Sequence, residues 1–446
     1  MTDLRQIQDL IQYAKERLGL DTRDEMYVKN RLLELDDEDA VFGALSLMPS
    51  EIDKRFKDIL ETKGSKAATD WFYRYCVSNK YVKRDELDKN PRFDASNGLT
   101  VTINKAKPEF KDPNKAKAGN SVDGGFAKCV ICRENEGYGA RHKRNLRTVS
   151  ITLGGKQWFW QYSPYGYFNE HGIAVNCEHT PMHVDRQTLE NLMDFVDLFP
   201  HYFIGCNAAL QRIGGSVLAH DHYQGGGEVL PLHKAKIKTE VKDKQYPTAT
   251  AGILDWPGTV IRIKSKDRNE VIDIADRIRQ AWVEYNDPAL GIIAKDENGV
   301  HNAVSPTVVK SADGYEMNVI LRSNITSEKY PDGVFHAHPE YHSVKKESIG
   351  LIEAQGLFIL PGRLESELAE LEKFIEHKKP LPPEYAQFKL VYDETKKLYE
   401  SGKFKTVHAA MQEELGSICY RILQNTAVFK DEKDMLEFLS SAGFEI

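Results

Sequence analysis

The sequence predicts an α+β protein with a repeated unit at its centre and helical segments at both ends. Three observations carry this. Leu4, Ile7, Leu10, Ile11 and Ala14 share one helical face at the start. Short strand-like runs joined by turn residues fill the middle, as antiparallel sheets require. The order helix, strand, His-x-His then occurs twice, which points to duplication.

The first helix has Thr2 or Asp3 as its cap, and the helical pattern continues to about Tyr81. Between Lys83 and Asn120 the composition turns to charge, Pro and Gly. This stretch reads as a boundary, with one strand at Leu99–Ile103 and a basic arm, Lys105-Ala106-Lys107-Pro108. Strands follow at Thr148–Leu153, Trp158–Tyr162 and Ile173–Asn176, then a helix with Leu189, Leu192, Met193 and Val196 on one face. A strand at Tyr202–Cys206 leads through Gly214-Gly215-Ser216 to His220-Asp221-His222. In the second copy a helix aligns Ile274, Ile278, Ala281 and Trp282, and a strand at Met317–Leu321 precedes His336-Ala337-His338. Beyond Pro361 the chain is charged and helical, broken by Pro380, Pro382 and Pro383. The expected partition is 1–94 helical, 95–235 first half, 236–370 second half and 371–446 helical.

The 446 residues are 41% hydrophobic and 28% charged, a globular balance too apolar for disorder. Sixty Lys and Arg against 67 Asp and Glu leave a net charge of -7, which argues against a general nucleic-acid binder. No apolar run approaches a membrane span, and the N-terminus has no signal core, so a cytoplasmic location is expected. Six cysteines are too few for a disulfide scaffold, and only Cys129 and Cys132 are close in sequence. Oligomeric state, including a homodimer, stays open.

The chemistry is concentrated in Gly214-Gly215-Ser216-Val217-Leu218-Ala219-His220-Asp221-His222-Tyr223-Gln224-Gly225-Gly226. On an extended chain His220, His222 and Gln224 project to one side, because strand side chains alternate. A neutral imidazole can attack phosphorus near pH 7, and a phosphoimidazole passes its group onward. The glycines let backbone amides approach phosphate oxygens, and Ser216 and Gln224 add donors. The bland reading, histidines satisfying buried bonds beside a turn, suits an isolated His-x-His better than this full run.

This run resembles the active-site signature of the galactose-1-phosphate uridylyltransferase family, in its divergent second class, within the histidine-triad superfamily. Phe168-Asn169-Glu170-His171, Gly299-Val300-His301-Asn302, and Lys345 to Glu353 followed by Leu360-Pro361-Gly362-Arg363 resemble that class too. The resemblance implies two histidine-triad-like halves with antiparallel sheets. It implies transfer of UMP from UDP-glucose to galactose 1-phosphate, by ping-pong exchange through a uridylyl group on His222. Gln224, Ser216, Asn207, Gly214 and Gly215 would then face the phosphates, Lys105 and Lys107 would form a basic arm, and the backbone carbonyl of His220 would orient His222. Lys346, Glu353 and Gln355 fall in the hexose-binding stretch. The nucleotide base would be read by the aromatic stretch that contains Gln161. The chain departs from the pattern at Leu210-Gln211-Arg212-Ile213, where Arg212 adds a cation near the phosphates, and at His233.

Cys129 and Cys132 alone could be half of a zinc site, a redox pair or two buried thiols. The resemblance offers His179 and His220 as two further zinc ligands, making a closed structural site. It also suggests a second metal at His301, His336 and His338, with His233 as a fourth ligand, against a set of histidines inherited without metal. Two rival functions remain. One is a nucleotide phosphorylase or pyrophosphorylase using phosphate, pyrophosphate or an adenine nucleotide. The other is a zinc-stabilised nucleotide-binding protein without turnover.

Overall fold

A computed structural model describes residues 4–35, 37–106, 126–214 and 217–446. Its strands are β1 (Arg92–Asp94), β2 (Thr100–Asn104), β3 (Val149–Leu153), β4 (Lys156–Tyr162), β5 (Gly172–Asn176), β6 (Phe203–Gly205), β7 (His222–Gly226), β8 (Ile237–Asp243), β9 (Thr250–Leu254), β10 (Val260–Ser265), β11 (Lys295–Asp296), β12 (Gly299–Val300), β13 (Asn302–Ser311), β14 (Gly314–Ser323), β15 (Leu357–Pro361) and β16 (Phe444–Glu445). Eleven of them form one sheet in the order β16-β8-β9-β10-β14-β13-β6-β7-β5-β4-β3.

That order contains the repeat. From the β6–β13 seam outward, one side runs β6-β7-β5-β4-β3 and the other runs β13-β14-β10-β9-β8. Each set has the same chain order and the same connection, a long helix inserted after its third strand: Arg186–Leu198 in one and Arg268–Val283 in the other. The α+β architecture of two antiparallel halves is therefore present. The repeat is one of strands and helix, however, and does not extend to the histidines. The first His-x-His enters β7, whereas His336 and His338 lie beyond β14, the partner of β7 in the repeat. Counting from the seam pair Gly205–Thr307, Gln224 corresponds to Asn318 and His222 to Glu316.

Local chemistry explains the elements. Gly154 and Gly155, with φ of 57° and 71°, make the two-residue turn between β3 and β4, where a primed turn matches strand twist. Asp185 caps the first long helix by accepting from the Thr188 amide at 3.0 Å, and the Thr188 hydroxyl accepts from the Asp185 amide at 3.2 Å. Leu189, Leu192, Met193, Phe195 and Val196 of that helix are buried with Trp158, Trp160 and Tyr223 from one face of the sheet. Helices at the N-terminus, including Pro49–Lys63 and Ser65–Ser78, join the same core through Phe56 and Phe72.

The opposite face holds the site. His222 pairs with Val175 and Gln224 with Ile173, so these side chains share that face with Phe159 and Gln161 of β4. The Cys129–Cys132 segment packs there against Phe159 and Val175. A small sheet, β1-β2-β15, lies outside the large one, with β2 parallel to β15. Its Ile359 and Leu357 pack with Leu351, Ile320 and Val260 over the second half. The C-terminal helices Leu364–Glu376, Lys389–Glu400 and Val407–Thr426 enclose the remaining face of β2 and β15.

Candidate active site

His222 is buried, and its Nδ1 lies 2.8 Å from the His220 carbonyl oxygen. A carbonyl can only accept, so Nδ1 carries the proton and Nε2 keeps its lone pair. Burial lowers the pKa of His222, with the bond to His220 opposing, which favours the neutral ring that a nucleophile needs. Gln224, two residues on, faces the same way, and its Oε1 is 3.4 Å from His171 Nε2. Burial pushes His171 down to about 4, so it is neutral and donates this Nε2–H. Gln224 then presents its amide N–H groups elsewhere. His171 is itself held between Tyr167, stacked at 4.8 Å, and Phe168. The sequence motif contained His171, but nothing in the spacing announced that it would orient Gln224.

Asn207 follows β6 beside His222. Its Oδ1 accepts from the Leu351 amide at 2.8 Å, while its Nδ2 is buried without a partner. Gln161 is also buried, with an unpartnered Oε1, in the row that contains Ile173 and Gln224. Such orphaned groups are costly unless a ligand completes them. Gly214 allows close approach, since a Cβ there would lie 2.1 Å from the Ala208 carbonyl oxygen. Gly215, Ser216 and Lys107 lie outside the described residues. Asp221 turns away from the two histidines toward Asn176, His183 and Asp185, and burial raises its pKa to about 6.

Other expected residues are placed differently. Lys105 follows β2, and its ammonium is engaged by Glu365 Oε1 at 3.2 Å. Lys346 is exposed. Its neighbour Lys345 is fully buried instead, 2.9 Å from Glu353 Oε1 and 3.1 Å from Glu347 Oε2. Glu353 is thereby locked, and its other oxygen caps the Gly350 amide at 3.1 Å. Gln355 accepts from Thr307 and stands 3.1 Å from His233 Nε2, leaving its own Nε2 unpartnered. Arg212 adopts φ of 70° and donates to the Asn324 carbonyl, tying the glycine loop to the end of β14.

The Cys and His side chains converge. Cys129 Sγ is 3.4 Å from Cys132 Sγ and 3.2 Å from His220 Nδ1, and Cys132 Sγ is 3.2 Å from His179 Nδ1. These four donor atoms lie within 4.8 Å of one another. Bonds of about 2.0–2.3 Å to a tetrahedral metal would separate ligand atoms by roughly 3.3–3.8 Å, so the set fits such an ion. His220 Nε2 donates to the Asn176 carbonyl at 2.8 Å, which reserves Nδ1 for the metal. Asn135 donates to the carbonyls of both Cys129 and Cys132, at 2.8 and 2.9 Å, bracing the loop. Burial raises the Cys132 thiol to about 12, a setting in which a dication is what makes a thiolate favourable.

The second metal set is not assembled. Among the described residues, no other group of three or more His, Cys, Asp or Glu donors comes together. His301 faces Asn324 Oδ1 and Asp296 Oδ1, each at 2.8 Å. His336 Nδ1 faces the Ala337 carbonyl, and His338 stacks on Tyr330 at 4.1 Å. His233 points to Gln355 and Glu316.

Two family models, the N-terminal and C-terminal domains of galactose-1-phosphate uridyl transferase, match residues 13–181 and 194–386. The chain belongs to the galactose-1-phosphate uridylyltransferase family. A relative so named from Bifidobacterium longum is 56% identical over 408 residues, covering 91% of this chain and 79% of its own length. One from Lacticaseibacillus casei is 40% identical over 86% of this chain and 80% of its own. One from Ligilactobacillus salivarius is 37% identical over 97% and 92%. A solved yeast Ap4A phosphorylase aligns with a TM-score of 0.35 at 11% identity, covering 74% of this chain and 92% of that one, too weak a likeness to bear on fold or activity. Among the described residues no helix is long and apolar enough to cross a membrane.

Proposed function

We propose that the chain transfers UMP from UDP-glucose to galactose 1-phosphate through a covalent uridylyl group on His222. The observation that carries the reading is the buried His222 ring, pinned at Nδ1 by the His220 carbonyl so that Nε2 keeps its lone pair, on the sheet face that also carries Gln224. Nε2 attacks the α-phosphorus of UDP-glucose, the bond to the bridging oxygen breaks, and glucose 1-phosphate leaves with that oxygen. A phosphate oxygen of galactose 1-phosphate then attacks the same phosphorus. The P–N bond breaks, UDP-galactose forms, and His222 returns to its starting state. Both incoming groups bring their own nucleophilic lone pair, so no strong general base is required.

Around that step, Gln224 and the Asn207 Nδ2 donate to phosphate oxygens, with Gly214, Gly215 and Ser216 as further phosphate contacts. In this reading Gln161 contacts the nucleotide, and Glu353 and Gln355 contact the hexose. Lys346, Lys105 and Lys107 remain in this reading as outer contacts to substrate. Cys129, Cys132, His179 and His220 hold zinc, which when bound gives a closed structural site. Residues 95–235 then carry nucleophile and zinc, residues 236–370 complete the pocket, and the segments 1–94 and 371–446 pack around them.

UDP-glucose alone tests this. The expected result is release of about one equivalent of glucose 1-phosphate per chain, then a stall until galactose 1-phosphate discharges the label as UDP-galactose. Steady hydrolysis would instead make the protein a hydrolase. Discharge by phosphate or pyrophosphate, but not by galactose 1-phosphate, would make it a phosphorylase.

A further inference from the structure

Arg322, on β14, is 1% exposed and makes no ion pair among the described residues; the carboxylate that acts on it, Glu353, is already held by Lys345 at 2.9 Å. Its Nη2 donates to the Ile349 carbonyl at 2.8 Å, while Nε and Nη1 are buried without hydrogen-bond partners. Lys345 shows how this protein otherwise treats a buried cation, with carboxylates of Glu347 and Glu353 at 3.1 and 2.9 Å. A guanidinium stays charged at any physiological pH, so leaving it buried with two open donors and no ion pair of its own is costly. An anion that arrives with the ligand would remove that cost.

The surroundings indicate which anion. Asn318, Ile320 and Arg322 alternate onto the face of the sheet that carries His222, and Ala303 stands directly opposite Arg322 on β13. Ala303 packs with Ala208, Leu210 and Ile213, the loop that leads into Gly214. On its other side Arg322 holds Ile349, two residues before the Leu351 amide that fixes Asn207. Arg322 and Asn207 therefore share two walls, the loop and the turn, and both have open buried donors.

We propose that Arg322 is the buried counter-charge of a phosphate-ester subsite between the Ala208–Gly214 loop and the Ile349–Leu351 turn. The inference rests on the reading that phosphorylated substrates bind beside His222. The ligand class is a phosphate monoester or diphosphate, whose oxygens take the open guanidinium donors. The nucleotide and the hexose 1-phosphate are the two sources of such a group.

Binding without turnover tests this on the full chain, with UDP, galactose 1-phosphate and uridine as probes against wild type, Arg322→Met and Arg322→Gln. In Arg322→Met the affinity for at least one phosphate ligand should fall about tenfold or more, since bonds to a charged group are lost, while uridine binding holds. Loss for UDP alone assigns the nucleotide phosphates, and loss for galactose 1-phosphate alone assigns the acceptor. The ligand-free Met variant should unfold no lower than wild type, because an unmatched buried charge is gone. Unchanged affinity for both phosphate ligands overturns the proposal. So does a parallel loss of uridine binding and stability, which would make Arg322 structural. If the Met variant does not fold, Arg322→Gln decides: wild-type affinity for both phosphate ligands overturns the subsite, and a selective loss for phosphate ligands supports it. Arg322-dependent binding without uridylyl transfer would sink the proposed reaction and leave the subsite standing.

Discussion

The backbone oxygen of His220 accepts the Nδ1–H of His222 at 2.8 Å, while the His220 ring stands 3.2 Å from Cys129 Sγ. One residue thus joins the Cys/His cluster to the buried His222 ring. Whatever fixes His220 also fixes the direction of the His222 lone pair.

Replacing His222 is the first test of that arrangement. His222→Ala should lower transfer by about three orders of magnitude or more, the scale expected when a nucleophile is removed. His222→Gly should recover part of the activity when supplied with the uridylyl ester of imidazole, because the cavity admits a replacement ring. Substantial turnover by the alanine variant would show that no covalent His222 intermediate is used.

The cluster predicts a different response. Purified protein should contain about one zinc per chain, and Cys129→Ser should lower Tm by about 5–10 °C while costing less in kcat than loss of His222. Elemental analysis and a thermal melt read both. Active enzyme with only trace metal would dispose of the zinc assignment.

Asn207 separates acceptor from donor roles. Asn207→Asp keeps the oxygen that receives the Leu351 amide but replaces the open Nδ2 with a second carboxylate oxygen. Transfer should fall by roughly 10²–10³-fold or more, because one donor to developing charge is lost and a carboxylate is set against the phosphates. Wild-type rates in the Asp variant would remove Asn207 from the phosphate contacts.

Glu316 gives a pH signature. Burial alone would raise its pKa, but His233, Lys264 and Arg262 overcome this and hold it at about 2. Lys264 stands at 2.8 Å and Arg262 at 3.1 Å. A folded pKa below the unfolded value of about 4.5 means stability is present above that value and lost as pH falls toward 2. Glu316→Gln should therefore cost about 2–3 kcal/mol at pH 7 in urea unfolding, with the gap to wild type narrowing below about pH 4.5. A gap that stays constant across that range would mean the carboxylate charge contributes nothing.

The site was legible where chemistry is local in sequence. Alternation along His220, His222 and Gln224 placed two of these on one face, because a strand imposes that period. Strands from β3 to β7 and their helix were also readable from apolar runs bounded by turns. What could not be read depends on distant segments. Lys345 rather than Lys346 is the buried lysine, a choice made by packing against Ile359 and Glu353. The strands β8, β9 and β10 went unnoticed, since Ile237–Asp243 is mostly charged and its pairing is set by β9. The His301, His336 and His338 set followed from likeness alone, and each ring finds an oxygen partner of its own.

The repeat about the seam also says something about descent. An ancestral unit copied twice would have offered two equivalent places for a nucleophile, yet His222 has Glu316 as its counterpart, bound by cations from β10. One copy places a buried imidazole at this position and the other an ionic brace, so the two halves, alike in strands and helix, have diverged in chemistry at equivalent points of the sheet.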